Sequence, residues 1–290
     1  MSRKRGFCFV GSFCVILLLC CNGLRADERL APAAGEVLDE FSITNDALVL
    51  PVTLNEKTYS FMVDTGASYS IFDTTLLDQL GRPVRQQRMV TAGRPITVSE
   101  YRMPALRLGR VQPPPDTRAF CSNLLEPRQA FDGPLDGIIG MDFLLPHIVQ
   151  LDFDADKIRF LNSLPPEPGD SFSIGIGREQ QRNIPYFNLK LMEDDSAFVI
   201  DTGFNGSLSV NERSFDDLDN AGRIGNRSMF RLSTAGGTHN QLSGRLDSLS
   251  IGRFAHRDLI VDRHARQNHV GIAYLKRFLV TFDFPQKVMY

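Results

Sequence analysis

Two carboxylates stand in nearly identical settings 137 positions apart. Asp64 closes the apolar run Phe61-Met62-Val63 and is followed by Thr65-Gly66-Ala67-Ser68. Asp201 closes Ala197-Phe198-Val199-Ile200 and is followed by Thr202-Gly203-Phe204-Asn205-Gly206. Each acid lies where a strand gives way to a small-residue turn, and the glycine permits a tight bend and a close approach that a larger residue would block. A single Asp-Thr-Gly reads as an ordinary turn with an Asx-type hydrogen bond. Two copies in matched settings point to a pair. Carboxylates held roughly 3 Å apart cannot both ionise cheaply, so they share a proton and offer a base and an acid side by side. Such a pair can take a proton from water and stabilise a developing oxyanion without a metal or other cofactor. The histidines (His147, His239, His256, His264, His269) lack ligand spacing and read as surface or capping groups.

Each acid needs a strand to deliver it, and the sequence supplies two hairpins. Leu48, Leu50, Val52 and Leu54 alternate with period two, Asn55-Glu56-Lys57 turns, and Thr58 to Val63 returns to Asp64. In the second half Phe187, Leu189 and Leu191 alternate, Glu193-Asp194-Asp195 turns, and Ser196 to Ile200 returns to Asp201. The likeness extends further. Thr91-Ala92-Gly93 matches Thr234-Ala235-Gly236, and Leu106 to Arg110 matches Leu249 to Arg253, both at an offset of 143. Gly140, Phe143, Leu144, Asp152 and Phe153 match Gly271, Tyr274, Leu275, Asp283 and Phe284 at 131, so the first half holds 12 extra residues around Pro113-Pro114-Pro115. Self-similarity on this scale predicts an all-β chain of two related closed β-barrel lobes with the active site between them. The lobes are residues 45–163 and 183–290, joined by a proline-rich linker at 164–182. Short helices are expected near Phe72 to Leu80, Phe143 to Leu145 and Glu212 to Leu218.

Residues 1–26 read as a signal peptide: Arg3-Lys4-Arg5, then 15 apolar-rich residues from Phe7 to Cys21, too few to span a bilayer as a stable helix. Export to a periplasmic or extracellular location is expected. Lipid anchoring is the weaker alternative, because Leu19 rather than a small residue precedes Cys20. Residues 27–44 form a polar, irregular lead-in. Removing 1–26 takes away four basic and no acidic side chains, so the net charge of −2 becomes about −6, which disfavours nucleic acid or an anionic membrane as partner. Four of the five cysteines leave as well, and Cys121 is expected to be a small buried apolar residue. With 42% hydrophobic residues, the rest is ordinary globular chain, long enough for two cores.

The combined residues resemble the retropepsin-like aspartic proteases, as two tandem retropepsin-type halves fused in one chain. The features are Met62 to Ser68, the hairpin around Gly93, and Ile138-Ile139-Gly140 followed by Met141-Asp142-Phe143-Leu144, with Asp201 to Gly206 and Val270-Gly271 in the second half. The resemblance implies an endopeptidase with Asp64 and Asp201 as catalytic pair, acting on a peptide or protein substrate. It implies that Thr65 and Thr202 cross-bond between the turns, that Gly66 and Gly203 let backbone amides reach the carboxylates, and that Gly93 and Gly236 tip two flaps. Ala67 and Phe204 stand where pepsin-type enzymes place a hydroxyl, which argues against a strongly acid pH optimum. His269 replaces an expected apolar residue before Val270. Asp142, Asp152 and Asp283 read as structural acids, and Tyr101 as a packing residue. A non-catalytic peptide-binding protein using the same cleft is the alternative function. A monomer acting as a pseudo-dimer is expected, with a domain-swapped dimer as its alternative.

Overall fold

The computed structural model describes residues 35–43, 48–91, 94–130, 133–177, 183–234, 237–264 and 266–290, all within the unit Ala33–Tyr290. The described residues open on β1 (Val37–Ser42) and the hairpin of β2 (Val49–Leu54) and β3 (Lys57–Val63). Asn55 and Glu56 both adopt left-handed backbone angles, φ 47° and 69°, the geometry of a tight turn whose twist matches that of the strands. Leu48, Leu50, Val52 and Leu54 are all at most 1% exposed, so the period-two face is the core face.

The first half continues with β4 (Ile71–Asp73), a 3₁₀ turn (Thr74–Leu76), α1 (Leu77–Leu80), β5 (Arg85–Thr91), β6 (Arg94–Arg102), β7 (Leu106–Arg107), β8 (Arg118–Ser122), α2 (Leu125–Ala130), β9 (Gly137–Ile139) and α3 (Met141–Leu144). Asp73 caps the 3₁₀ turn by accepting from the Thr75 amide at 2.9 Å. The bridge between halves holds β10 (Ile148–Asp152), β11 (Lys157–Leu161) and β12 (Phe172–Ser173). The second half comprises β13 (Gly175–Ile176), β14 (Pro185–Lys190), β15 (Asp195–Ile200), β16 (Leu208–Asn211), α4 (Glu212–Asn220), β17 (Ile224–Thr234), β18 (Gly237–Ile251), β19 (Phe254–His264), β20 (Asn268–Val270), α5 (Ile272–Leu275), β21 (Val280–Asp283) and β22 (Val288–Met289). Asn211 caps α4 through the Ser214 amide at 3.0 Å, as Asp73 does in the first half.

The chain is mostly strand with short helices, but its sheets are not closed barrels, contrary to expectation. One eight-stranded sheet has the order β5-β6-β8-β4-β9-β3-β2-β7, and another β13-β14-β15-β20-β16-β19-β18-β17. Among the described residues their end strands do not pair with each other. Strands from both halves form a six-stranded sheet, β1-β11-β10-β21-β22-β12, in which β10 pairs antiparallel with β21 (Val149 opposite Phe282). Its buried Gln150 donates to the Thr281 hydroxyl at 3.0 Å. This sheet recruits β1 from the stretch read as an irregular lead-in and β12 from the stretch read as linker; β13, also in that linker, extends the second large sheet. The prolines at 165, 166 and 168 do lie outside strands. Asp152 and Asp283 sit at strand ends, where their Oδ1 atoms accept from the amides of Ala155 and Gln286 at 3.1 and 3.0 Å.

The same set of pairings surrounds each Asp-Thr-Gly. β3 runs parallel to β9, which lies antiparallel to β4, which runs parallel to β8. Likewise β15 runs parallel to β20, which lies antiparallel to β16, which runs parallel to β19. The main apolar core runs from Ile43 to Met289 and includes Tyr101 and Cys121. Burial pushes the Cys121 thiol up to about 11, as befits an unreactive core residue.

Candidate active site

Asp64 and Asp201 meet. Each is fixed first through its backbone: the Asp64 amide donates to Ile139 O at 3.0 Å and the Asp201 amide to Val270 O at 2.9 Å, which ties each acid to the short parallel strand beside it. Each side chain then folds over its own turn. Asp64 Oδ1 accepts from the Gly66 amide at 2.8 Å, and Asp201 Oδ1 from the Gly203 amide at 2.9 Å. The carboxyls also hydrogen-bond to one another.

The turns are locked together by their threonines. The Thr65 hydroxyl donates to Ile200 O at 2.6 Å and accepts from the Thr202 amide at 3.0 Å. The Thr202 hydroxyl donates to Val63 O at 2.8 Å and accepts from the Thr65 amide at 3.0 Å. Both threonines are at most 2% exposed, so these four reciprocal bonds are shielded from water and resist displacement. The glycines permit the approach. A Cβ on Gly66 would lie 2.5 Å from Asp201 Oδ1, and one on Gly203 would lie 2.6 Å from Asp64 Cγ, too close for any side chain.

A second layer supports the turns. In the first half the Met141 amide donates to Ala67 O at 2.8 Å, and Gly140 N donates to Ser70 Oγ at 3.1 Å. Asp142 Oδ1 accepts from the amide and hydroxyl of Ser70 at 2.9 and 2.7 Å, so this acid braces the turn and does not reach the pair. In the second half Ile272 N donates to Phe204 O at 2.9 Å and Gly271 N to Ser207 O at 3.0 Å. Gly140 and Gly271 are backed directly by turn carbonyls, leaving no space for a side chain.

Burial raises both pKa values, because the charged form is desolvated. The charge of Asp201 adds to the effect on Asp64, which is held well above the usual carboxylate range. Asp201 is raised to about 6, with the Gly203 amide and then the Asp64 bond opposing part of the burial effect. Both carboxyls are therefore held above the usual range, and the pair retains one proton between them. His269, which stands where an apolar residue is expected, approaches Asp201: its Nε2 lies 4.0 Å from Asp201 Oδ2, while its Nδ1 meets Ser209 Oγ at 2.9 Å. Its position opposite Val199 in β15 puts it there. The offset of 131 aligns His269 with Ile138, and the strand pairing turns that polar departure into a contact with the carboxyl.

Residues 50–143 match the family model described as Aspartyl protease. That segment runs from β2 into α3 and holds Asp64 with its turn; the half that carries Asp201 lies outside it. A search of the curated proteins gave no match. The expected flap tips Gly93 and Gly236 lie outside the described residues. The arms that lead to them are present: β5 pairs with β6 out to Thr91 opposite Arg94, and β17 with β18 out to Thr234 opposite Gly237.

Proposed function

We propose that this chain is an exported aspartic endopeptidase built from two tandem halves, each supplying one carboxyl to a single site. The observation that carries the reading is the reciprocal Thr65 and Thr202 lock, which holds Asp64 and Asp201 in hydrogen-bonding contact while their glycine amides polarise them. A pair of acids with one proton and unequal pKa values is the equipment for hydrolysis by an activated water.

In this mechanism ionised Asp201 takes a proton from a water between the carboxyls, and the water oxygen bonds to the peptide carbonyl carbon. Protonated Asp64 hydrogen-bonds to the carbonyl oxygen as negative charge develops there. The tetrahedral intermediate collapses as the C–N bond breaks, the leaving nitrogen takes a proton from the pair, and the pair returns to its singly protonated state. Peptide backbone would lie extended beside the strand arms, as in strand addition. Activity requires the pair to hold a single proton, and because burial raises both carboxyls its acid limb is expected in weak rather than strong acid.

The test is incubation of the purified chain with a random peptide pool from pH 3 to 8, with products read by mass spectrometry. Cleaved peptides carrying new termini are expected in the weakly acidic to neutral samples. A pool left intact at every pH by a folded chain would overturn the reading in favour of a peptide-binding role.

A further inference from the structure

The two walls flanking the carboxyl pair differ in chemistry. On the Asp64 side, Ile138 of β9 stands opposite Ile71 of β4, and Ile71 beside Phe120 of β8. With Val98 and Leu124 they form an apolar cluster separate from the main core. Paired residues on adjacent strands share a face. The corresponding row on the Asp201 side is His269 of β20, Ser209 of β16, Asp262 of β19 and Ser243 of β18. The contacts of His269 with Asp201 and with Ser209 fix that face as the one towards the carboxyl pair.

Asp262 is the unusual member of this row. It is 4% exposed, Ser243 hydrogen-bonds its side chain, and its Oδ1 is buried without a hydrogen-bond partner among the described residues. Arg263, its neighbour in sequence, turns away to Glu212 and Asp216 at 2.8 and 3.0 Å. The contrast with the other wall is plain, because Glu100, opposite Phe120, is neutralised by Arg85 at 2.6 Å and Arg118 at 3.6 Å. A buried carboxylate lacking a cation is costly to ionise, and a cation that reaches it recovers that cost. Its carboxyl, pushed up to about 6 by burial, is still mostly ionised at neutral pH.

From this asymmetry we propose that Asp262, with Ser209 and His269, forms a pocket on the Asp201 side of the cleft for a lysine or arginine side chain of the substrate, opposite an apolar pocket of Ile138, Ile71 and Phe120. The proposal rests on the peptidase reading and names its substrate class: peptides with a basic residue on one side of the cleaved bond and an apolar one on the other. A site built around an unpaired charge rejects an uncharged analogue more strongly than an apolar pocket rejects a smaller residue.

The test measures binding, so that it does not depend on turnover. Fluorescent peptides carrying Lys, Arg, Met or Glu at each position around the cleaved bond are titrated into the Asp64→Asn chain at pH 7. At one position Lys and Arg peptides are expected to bind at least about tenfold tighter than the Met peptide. Asp262→Asn and Asp262→Leu in the same background, both checked for folding by thermal melts, are expected to bring that ratio near one. Equal binding of Lys and Met peptides throughout, a preference that survives both Asp262 variants, or no binding at all would overturn the pocket. Cleavage by the intact chain without basic preference would sink the pocket and leave the peptidase reading standing. Basic preference in binding with no cleavage by the intact chain would do the reverse.

Discussion

Replacing Thr65 by valine tests the lock that holds the site together. Valine keeps the shape of threonine and opens no cavity, so the loss is confined to hydrogen bonds. The substitution strips Ile200 O of the donor at 2.6 Å and the Thr202 amide of its acceptor at 3.0 Å, both in buried surroundings. A buried backbone group left unpaired costs about 1–3 kcal/mol, so the two together cost about 2–6 kcal/mol, a large part of the roughly 5–15 kcal/mol that stabilises a domain. Thr202→Val removes a different pair, the bonds to Val63 O and from the Thr65 amide, and should cost a similar amount. The double variant should cost less than the two singles added, since the turns have already parted after the first loss. Thr65→Ser, which keeps both bonds, should cost far less than Thr65→Val. The chain contains no tryptophan, so urea unfolding is best followed by far-ultraviolet circular dichroism. If Thr65→Val lay within about 0.5 kcal/mol of both the parent and Thr65→Ser, the lock would not be holding the turns as described.

Three further outcomes follow from the same geometry. Gly203→Ala should reduce peptide turnover by at least about a hundredfold, because its Cβ would lie 2.6 Å from Asp64 Cγ, and a comparison of kcat with thermal stability would show the larger loss in kcat. An equimolar mixture of Asp64→Asn and Asp201→Asn chains should stay inactive if each chain builds its own pair, whereas recovery of a sizeable fraction of activity would mean a swapped dimer. Asp262→Asn should be more stable than the parent at pH 7.5 and equal to it at pH 3.5. The folded-state pKa of Asp262, about 6, exceeds its unfolded value, so its ionisation weakens the fold as pH rises through that range. Raising the carboxyl from its ordinary value to about 6 corresponds to about 3 kcal/mol, and unfolding curves at the two pH values measure it.

Local chemistry was legible in the sequence, and long-range pairing was not. The hairpin at Asn55-Glu56 and the placing of Asp64 and Asp201 at strand ends follow from alternation and turn residues, which act over a few positions. The contact of β10 with β21 joins residues 129 or more apart and leaves no mark on either strand, so the shared sheet was missed and barrels were expected instead. β1 escaped notice because Val37, Leu38 and Phe41 sit among acidic residues, without the alternation that an exposed-face strand would show. Asp262 was invisible as a site residue for a related reason, and His269 was noted only as a polar departure before Val270. Each is one polar position in an otherwise unremarkable strand, and only the register of β16 with β20 and β19 brings them into one row.

The central claim is that two acids, one from each half, share a single reaction. The measurement that tests it most directly is the turnover of one cleaved peptide by the parent chain and by Asp64→Asn and Asp201→Asn separately, at pH 6 to 7, with melting curves to verify folding. The account predicts that the parent cleaves and that each single amide substitution lowers kcat by about a thousandfold or more, since an amide can neither take nor give the shared proton. Near-full turnover by either folded variant would contradict it.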